Sequence, residues 1–427
     1  MINCNLKNRD FSLAKNILET TDSINQIKLM HKPNSTKEIL IAVDNSGEIV
    51  VVTLDLIKVE CKKHKLDKYE VVKTTKYNSK IEYSDNSPWS IDCQYPYIIA
   101  GSNNRTVFVF NYEEKENEEN NGLNNNSVIY KGNKNNIPYV TISENGCFIG
   151  NNSIDCNFKI FDFFKGDLIC SCSNPKNEWG WGIKFIPKSL FTIKEKEFES
   201  LELRKNDNLS NSALNYCKIS DFNLSNPSPY DEENFNKIPY EALNDNEKYI
   251  KINLIDKYYI LSTSNHCAGL FKLDFKLEEN TNKKEVIAIP LGKIELSRIY
   301  IRDLYMEVFE LDYVSRLMIS GIYQCSRYEF IYYSKNMNLF LLGSKAGDLH
   351  IFEMNIYHDK KNKLISVEDE PNVLISFGEK IAGMKFIENE VNGRKVIHIF
   401  ALTLPGMFYY YKITPDINFW KSHLEEN

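Results

Sequence analysis

Apolar strands alternate along this chain with short turns of Asn, Asp, Gly and Ser, and one unit of the pattern keeps returning. Residues 39–43 (ILIAV) lead into the polar quartet Asp44–Gly47 and then into EIVVVTL, ending at Leu54. Asn and Gly accept the positive φ that tight hairpins require, so the quartet predicts a turn between two paired strands. The unit recurs as YIIAG (Tyr97–Gly101), SNNR and TVFVFNY, ending at Tyr112. It recurs again over Cys147–Phe163, Tyr258–Asp274, Leu339–Met354 and Val396–Ile413. Each first strand is closely apolar, and each second strand alternates, which sends successive side chains to opposite faces. Both faces are apolar enough to be covered by neighbouring sheets. Further short strands precede several copies, at Trp89, Ile137, Trp181 and Ile381, and one follows at Asp167. That makes about four strands per unit, the make-up of a propeller blade.

The pattern predicts an all-β chain folded over residues 1–427 as a single WD-repeat-like β-propeller, with seven blades of which six are clear in the sequence. The seventh falls around residues 298–320, where the spacing fits a helix equally well. Residues 113–126 form an acidic, Asn-rich run that cannot bury apolar surface and predicts a disordered insert. Residues 195–245 predict a second, largely irregular insert, with a short helix near Glu195–Lys205. The segment Met1–Phe11 is expected to supply the closing strand of the last blade, since closure removes the exposed edges on which sheets aggregate.

Composition supports this picture and narrows the chemistry. A chain of 427 residues ordinarily makes two or three domains, but a closed all-β ring absorbs many strands into one. Tyr (25) and Phe (24) outnumber Gly (18), a balance that favours strands. The net charge of −6 gives no general attraction to nucleic acid or anionic lipid, so neither a direct nucleic-acid contact nor a membrane is expected. The N-terminus has no apolar stretch of the secretory type, and the ten cysteines form no CxxC pair. They are expected to be reduced, small apolar side chains.

Motifs for catalysis are missing from the sequence. The seven histidines include no helical i, i+4 pair with a glutamate between them. Gly343–Gly347 looks like a phosphate loop, but it joins two strands and lacks the helix N-terminus such loops use. No nucleophile elbow occurs. The expectation is a non-catalytic chain without cofactor or metal, although a propeller channel can house an active site. The four tryptophans stand out more. Pro88–Trp89 opens one predicted strand, and Trp179 and Trp181 form a W-G-W-G segment ahead of another. Glycine beside a large aromatic lets a second chain approach closely. Pro88, Trp89, Trp179 and Trp181 are therefore candidate protein-interaction residues, with Arg105 on a nearby predicted turn. Anchoring of blade starts near the central channel is the favoured reading of the tryptophans, ahead of an interface.

Three stretches occur together in order: DNSPWSID (Asp85–Asp92) with AGSNNRTVFVF, NIPYVTI (Asn136–Ile142) with SIDCNFKIFDF, and NEWGWGIKFIP (Asn177–Pro187). This order resembles the fungal WD-repeat family of constitutive-RNR-transcription regulators, which repress ribonucleotide-reductase genes. The resemblance implies a regulator of the nucleus and cytoplasm without catalytic residues of its own. It also implies protein partners, a cullin-ligase adaptor among them. Phe161–Asp162 stands where a WD repeat carries Trp-Asp, and no Trp-Asp-x-Arg adaptor-docking motif is present. The chain is short for that family, so a C-terminal region is expected to be missing. A structural propeller of another intracellular complex and, less favoured, a propeller enzyme are the alternatives.

Overall fold

The computed structural model describes residues 22–35, 37–61, 66–80, 87–113, 122–123, 128–195, 255–277, 284–296, 327–359, 364–367, 371–391 and 393–414. The first sheet runs β1 (Ile24–His31), β2 (Lys37–Asp44), β3 (Glu48–Cys61) and β4 (Leu66–Lys80). The second runs β5 (Pro88–Gln94), β6 (Tyr97–Ser102) and β7 (Val107–Glu113); both β8 (Gly122–Leu123) and β9 (Val128–Tyr130) pair with β7. The third runs β10 (Tyr139–Ile142), β11 (Phe148–Asn152), β12 (Asn157–Asp162) and β13 (Leu168–Ser173). The fourth begins with β14 (Gly182–Pro187), sets aside the side strand β15 (Thr192–Glu195), and continues with β16 (Tyr258–Thr263), β17 (Cys267–Leu277) and β18 (Lys284–Glu295). In the fifth, β19 (Tyr328–Tyr333), β20 (Leu339–Ser344) and β21 (Asp348–Glu353) are joined by β24 (Val373–Ser376). Of the intervening strands, β22 (Asn355–Asp359) pairs with β15 instead, and β23 (Leu364–Val367) pairs with β22. The sixth holds β25 (Ile381–Val391), β26 (Arg394–Thr403) and β27 (Phe408–Ile413).

Hairpin chemistry sets these elements. In the turn between β2 and β3, Asp44 Oδ1 accepts from the Ser46 amide (3.0 Å), the Ser46 hydroxyl (2.8 Å) and the Glu48 amide (2.9 Å). Gly47 then takes φ 91°, a region closed to most L-residues. With one carboxylate closing the turn, β2 and β3 leave it in antiparallel register, Val43 opposite Ile49.

Alternation along the strands sends apolar residues to both faces of the inner sheets, and five buried clusters fill the five spaces between consecutive sheets. Ile41, Val51, Ile98 and Phe110 join the first sheet to the second. Ile99, Val109, Val140 and Phe161 join the second to the third. Phe148, Phe158, Phe185 and Phe271 join the third to the fourth. Leu261, Leu270, Phe340 and Phe352 join the fourth to the fifth, and Leu341, Ile351, Ile397 and Ile399 join the fifth to the sixth. The first strands of successive sheets are neighbours, in the order β1, β5, β10, β14, β19 and β25, so they lie innermost. Among the described residues no buried cluster joins the sixth sheet to the first. Ile27 and Leu29 on β1 are exposed, as are Leu402 and Phe408 on the sixth sheet.

The expected closing segment Met1–Phe11, the helix near 195–205 beyond Glu195, most of the 195–245 insert and the ambiguous unit at 298–320 lie outside the described residues. The sheets on either side of that unit, the fourth and fifth, pack directly on one another. Within 113–126, Gly122–Leu123 pairs with Tyr112–Glu113, so the chain re-enters the sheet inside that span; residues 114–121 and 124–126 lie outside the described residues. Of the described cysteines, Cys170 and Cys267 are buried, and Cys93, Cys147, Cys156 and Cys172 are half-buried.

One carboxylate links four innermost strands. Asp92 on β5 accepts from the Thr141 hydroxyl and the Ile142 amide of β10, both at 3.0 Å. Lys28 of β1 and Lys184 of β14 stand at 3.8 and 3.9 Å from its two oxygens. Burial alone would raise its pKa, but Lys184, Lys28 and the two hydrogen bonds outweigh that and hold it below the ordinary 3.8. A folded-state pKa below the unfolded one means that Asp92 contributes stability above about pH 4, lost as pH falls through the lowered value. Chemical denaturation between pH 6 and 2.5 is therefore expected to show a steeper acid loss in the wild type than in Asp92→Asn. Equal slopes would remove Asp92 from the acid limb.

Candidate functional site

The tryptophans meet at one end of the innermost strands. Trp89 is the second residue of β5, and Trp181 sits just ahead of β14. Their rings stack with centroids 6.5 Å apart and planes 18° from parallel. Trp179 meets Trp181 edge-on at 6.3 Å. The guanidinium of Arg327, just ahead of β19, lies 4.3 Å from the centroid of Trp181 and 5.7 Å from that of Trp89. Both distances are within cation–π range. The second, fourth and fifth sheets thus each lend a residue to one cluster.

Its members differ in exposure, and exposure decides what each can do. Trp181 is 1 % exposed and its indole N–H donates to Asn265 Oδ1, so it belongs to the core. Trp89 is half-buried and Pro88 buried. Trp179 is 36 % exposed. Arg105 is exposed on the β6–β7 turn with φ 63°, and it is Arg327, not Arg105, that touches the indoles.

The W-G-W-G segment is held from both sides. On the near side, Glu178 Oε2 accepts from the Ser264 hydroxyl (2.8 Å) and the His266 amide (3.2 Å), while Oε1 meets His266 Nδ1 at 3.2 Å. Burial would raise the Glu178 pKa, but its contacts with His266 and then Ser264 hold it below the ordinary value. On the far side, the Trp181 amide donates to the Thr263 carbonyl at 2.9 Å. Beneath the segment three buried side chains close a ring. Asn152 Nδ2 donates to Ser262 Oγ (2.9 Å), Ser262 Oγ to Asn174 Oδ1 (2.7 Å), and Asn174 Nδ2 back to Asn152 Oδ1 (2.9 Å). Asn152 also donates to the Gly182 carbonyl at 2.8 Å. Gly180 lies on this ring so tightly that a Cβ there would sit 1.8 Å from Asn152 Oδ1. The exposed indole of Trp179 is therefore presented by backbone that is already fixed, which lowers the ordering cost of binding.

Sequence reasoning brought Pro88, Trp89, Trp179 and Trp181 to strand starts but missed Arg327 as their partner. Arg327 and Trp181 are far apart in the chain, and no local pattern marks a cation that will land on an indole. Among the described residues, no group of three or more His, Cys, Asp and Glu side chains is placed to hold a metal ion.

Four-stranded antiparallel sheets, packed face to face in succession with their first strands innermost, define a WD-repeat-like β-propeller. No protein-family model matches the chain, and no curated protein sequence matches it. Among solved structures it is similar to Sqt1 of Saccharomyces cerevisiae, at 9 % identity and TM-score 0.44 over 92 % of this chain and 96 % of that one. Sqt1 of Chaetomium thermophilum is similar at 10 % identity and TM-score 0.44, over 92 % of this chain and 75 % of that one in its complex with the N-terminus of ribosomal protein L10, and 72 % in the structure of Sqt1.

Proposed function

We propose that this propeller works as a non-catalytic scaffold and that Trp179, with Trp89 and Arg327 beside it, is where it grips a protein partner. The observation that carries this reading is the exposure of Trp179 on anchored backbone. A large aromatic held in the open by buried hydrogen bonds offers contact area without a further loss of side-chain freedom. Arg327 adds a guanidinium to the same patch, and Trp and Arg are the residue types enriched among binding hot spots. Arg105 stands outside this patch as a separate candidate.

The kind of partner follows from the resemblance over Asp85–Pro187. On that reading the chain regulates ribonucleotide-reductase gene expression through protein contacts in the nucleus and cytoplasm, with a cullin-ligase adaptor among its partners. Trp179→Ala is expected to fold with an unchanged melting temperature and to lose at least about thirtyfold in affinity for the partner, the usual effect of truncating a hot-spot tryptophan. Quantitative affinity purification of wild type against Trp179→Ala checks it. Transcriptional co-regulators or a ligase adaptor present with the wild type and depleted with the variant support the reading. Identical partner sets, or a partner set of one stable assembly with no regulator in it, favour the alternative of a structural subunit in another complex.

A further inference from the structure

The strand starts that hold the tryptophans share one end of the sheets with the turns between second and third strands. Backbone hydrogen bonds tie these pieces into one rim. The Asn103 amide donates to the Ser87 carbonyl (3.1 Å), Ile137 to Ser102 (3.2 Å), Ile154 to Asn136 (3.0 Å) and Gly180 to Ser153 (3.0 Å). Pairing of Tyr130 with Val107 brings Lys131 out at the same end. Just ahead of Trp179, Lys176 and Asn177 take left-handed backbone, φ 59° and 52°, a region uncommon for residues other than glycine.

This rim is basic on a chain whose net charge is −6. Arg105, Lys131, Lys134 and Lys176 are all exposed on it. Among the side chains described at this end of the second, third and fourth sheets, the acids are Asp155 and Glu178. Both are engaged within the rim. Asp155 accepts from the Lys134 amide at 2.7 Å and the Asn157 amide at 3.1 Å, and Glu178 is held by Ser264 and His266. On the fifth sheet Glu329 is matched by Lys345 at 3.1 Å, while Arg327 adds a further cation against the indoles.

Resting on the reading of Trp179 as the contact residue, we propose that the partner is an acidic peptide segment, which lays an apolar side chain on Trp179 and sets carboxylates against Lys134, Lys176 and Arg105. Opposite charge steers such a segment to this rim and fixes its register there. Single-stranded nucleic acid stacks successive bases on successive aromatic rings. Here Trp179 alone of the three clustered indoles is exposed, Trp89 being half-buried and Trp181 enclosed. The negative balance of the whole chain also repels a long polyanion, whereas a short acidic segment stays within the basic sector.

A display library of random short peptides is selected on the full-length chain, and selected peptides are measured by fluorescence anisotropy. They are expected to be enriched in Asp and Glu around an aromatic or aliphatic residue, and to bind more weakly as sodium chloride is raised. Lys134→Glu and Lys176→Glu are each expected to weaken binding about threefold or more, and the double variant about tenfold. Lys257→Glu makes the same change of net charge at the opposite end, ahead of β16, and is expected to bind as the wild type does. Loss of binding in Trp179→Ala completes the expected result. Peptides that need Trp179 but show no acidic enrichment, or that are indifferent to both rim lysine variants, overturn this proposal and leave the Trp179 patch standing. Acidic peptides bound equally by Trp179→Ala overturn the patch itself. A selection that enriches no peptide, or tighter binding of mixed-sequence single-stranded DNA than of the selected peptides, also overturns the proposal.

Discussion

Trp181→Ala is expected to lower stability by about 3–5 kcal/mol, the range for removing a buried large aromatic. The indole is fully enclosed, with Trp89 stacked on it, Trp179 against its edge and Arg327 over its face. Its removal opens a cavity at the point where the fourth sheet begins. It also strands Asn265 Oδ1, which loses its donor. Trp181→Phe refills most of the volume and leaves that acceptor unmet, at about 1–3 kcal/mol. Urea denaturation separates the two substitutions by their midpoints. The same experiment on Trp179→Ala should show almost no shift, because its ring is partly in water already. If Trp179→Ala is instead the more damaging of the pair, the division of the cluster into a buried support and an exposed contact is wrong.

The second large effect is expected at Gly180. An alanine Cβ there would lie 1.8 Å from Asn152 Oδ1 and 2.5 Å from Asn174 Nδ2. Neither side chain can swing away freely, because Asn152, Ser262 and Asn174 hold one another in a buried ring. Moving Asn152 also releases the Gly182 carbonyl at the start of β14. Overpacking alone costs about 1–3 kcal/mol, and each buried polar group left unpaired adds about 1–3 more. Gly180→Ala should therefore destabilise by several kcal/mol and displace Trp179 with it. The clash has a specific signature. In the Asn152→Ala background the closest clash is gone and Asn174 has lost the Asn152 oxygen that holds it, so the added cost of Gly180→Ala should shrink, a coupling that a double-mutant cycle reads directly. Strictly additive effects would mean that Gly180 is constrained by something other than this ring.

The order of sheets was legible in the sequence because it depends on local information. Alternation along Val107–Tyr112 and Asp348–Phe352 sends side chains to two faces, and the polar quartets at Asp44–Gly47 and Lys345–Asp348 can only turn. The first pairs β2 with β3 and the second β20 with β21, where the pattern places them. The tryptophans were legible as strand starts for the same reason. Their roles were not. Nothing near Trp181 tells it from Trp179, two residues earlier, since both flank glycine in an identical W-G setting. What separates them is the loop at Ser264–His266 between β16 and β17, which holds Glu178 through Ser264 and His266, accepts the Trp181 indole N–H at Asn265, and buries one indole while leaving the other out.

The same holds for charge. Lys28, Asp92 and Lys184 lie far apart in the sequence, and no local pattern marks them as neighbours. Sheet packing sets β1, β5, β10 and β14 side by side in that order and brings Lys28 and Lys184 to 3.8 and 3.9 Å from Asp92. Periodicity and turn chemistry act over a few residues, so the sequence by itself determined the strands, the hairpins and which faces are apolar. Burial, hydrogen-bond partners and the local balance of charge depend on groups brought together from distant positions, and only the packing of sheet on sheet decided them.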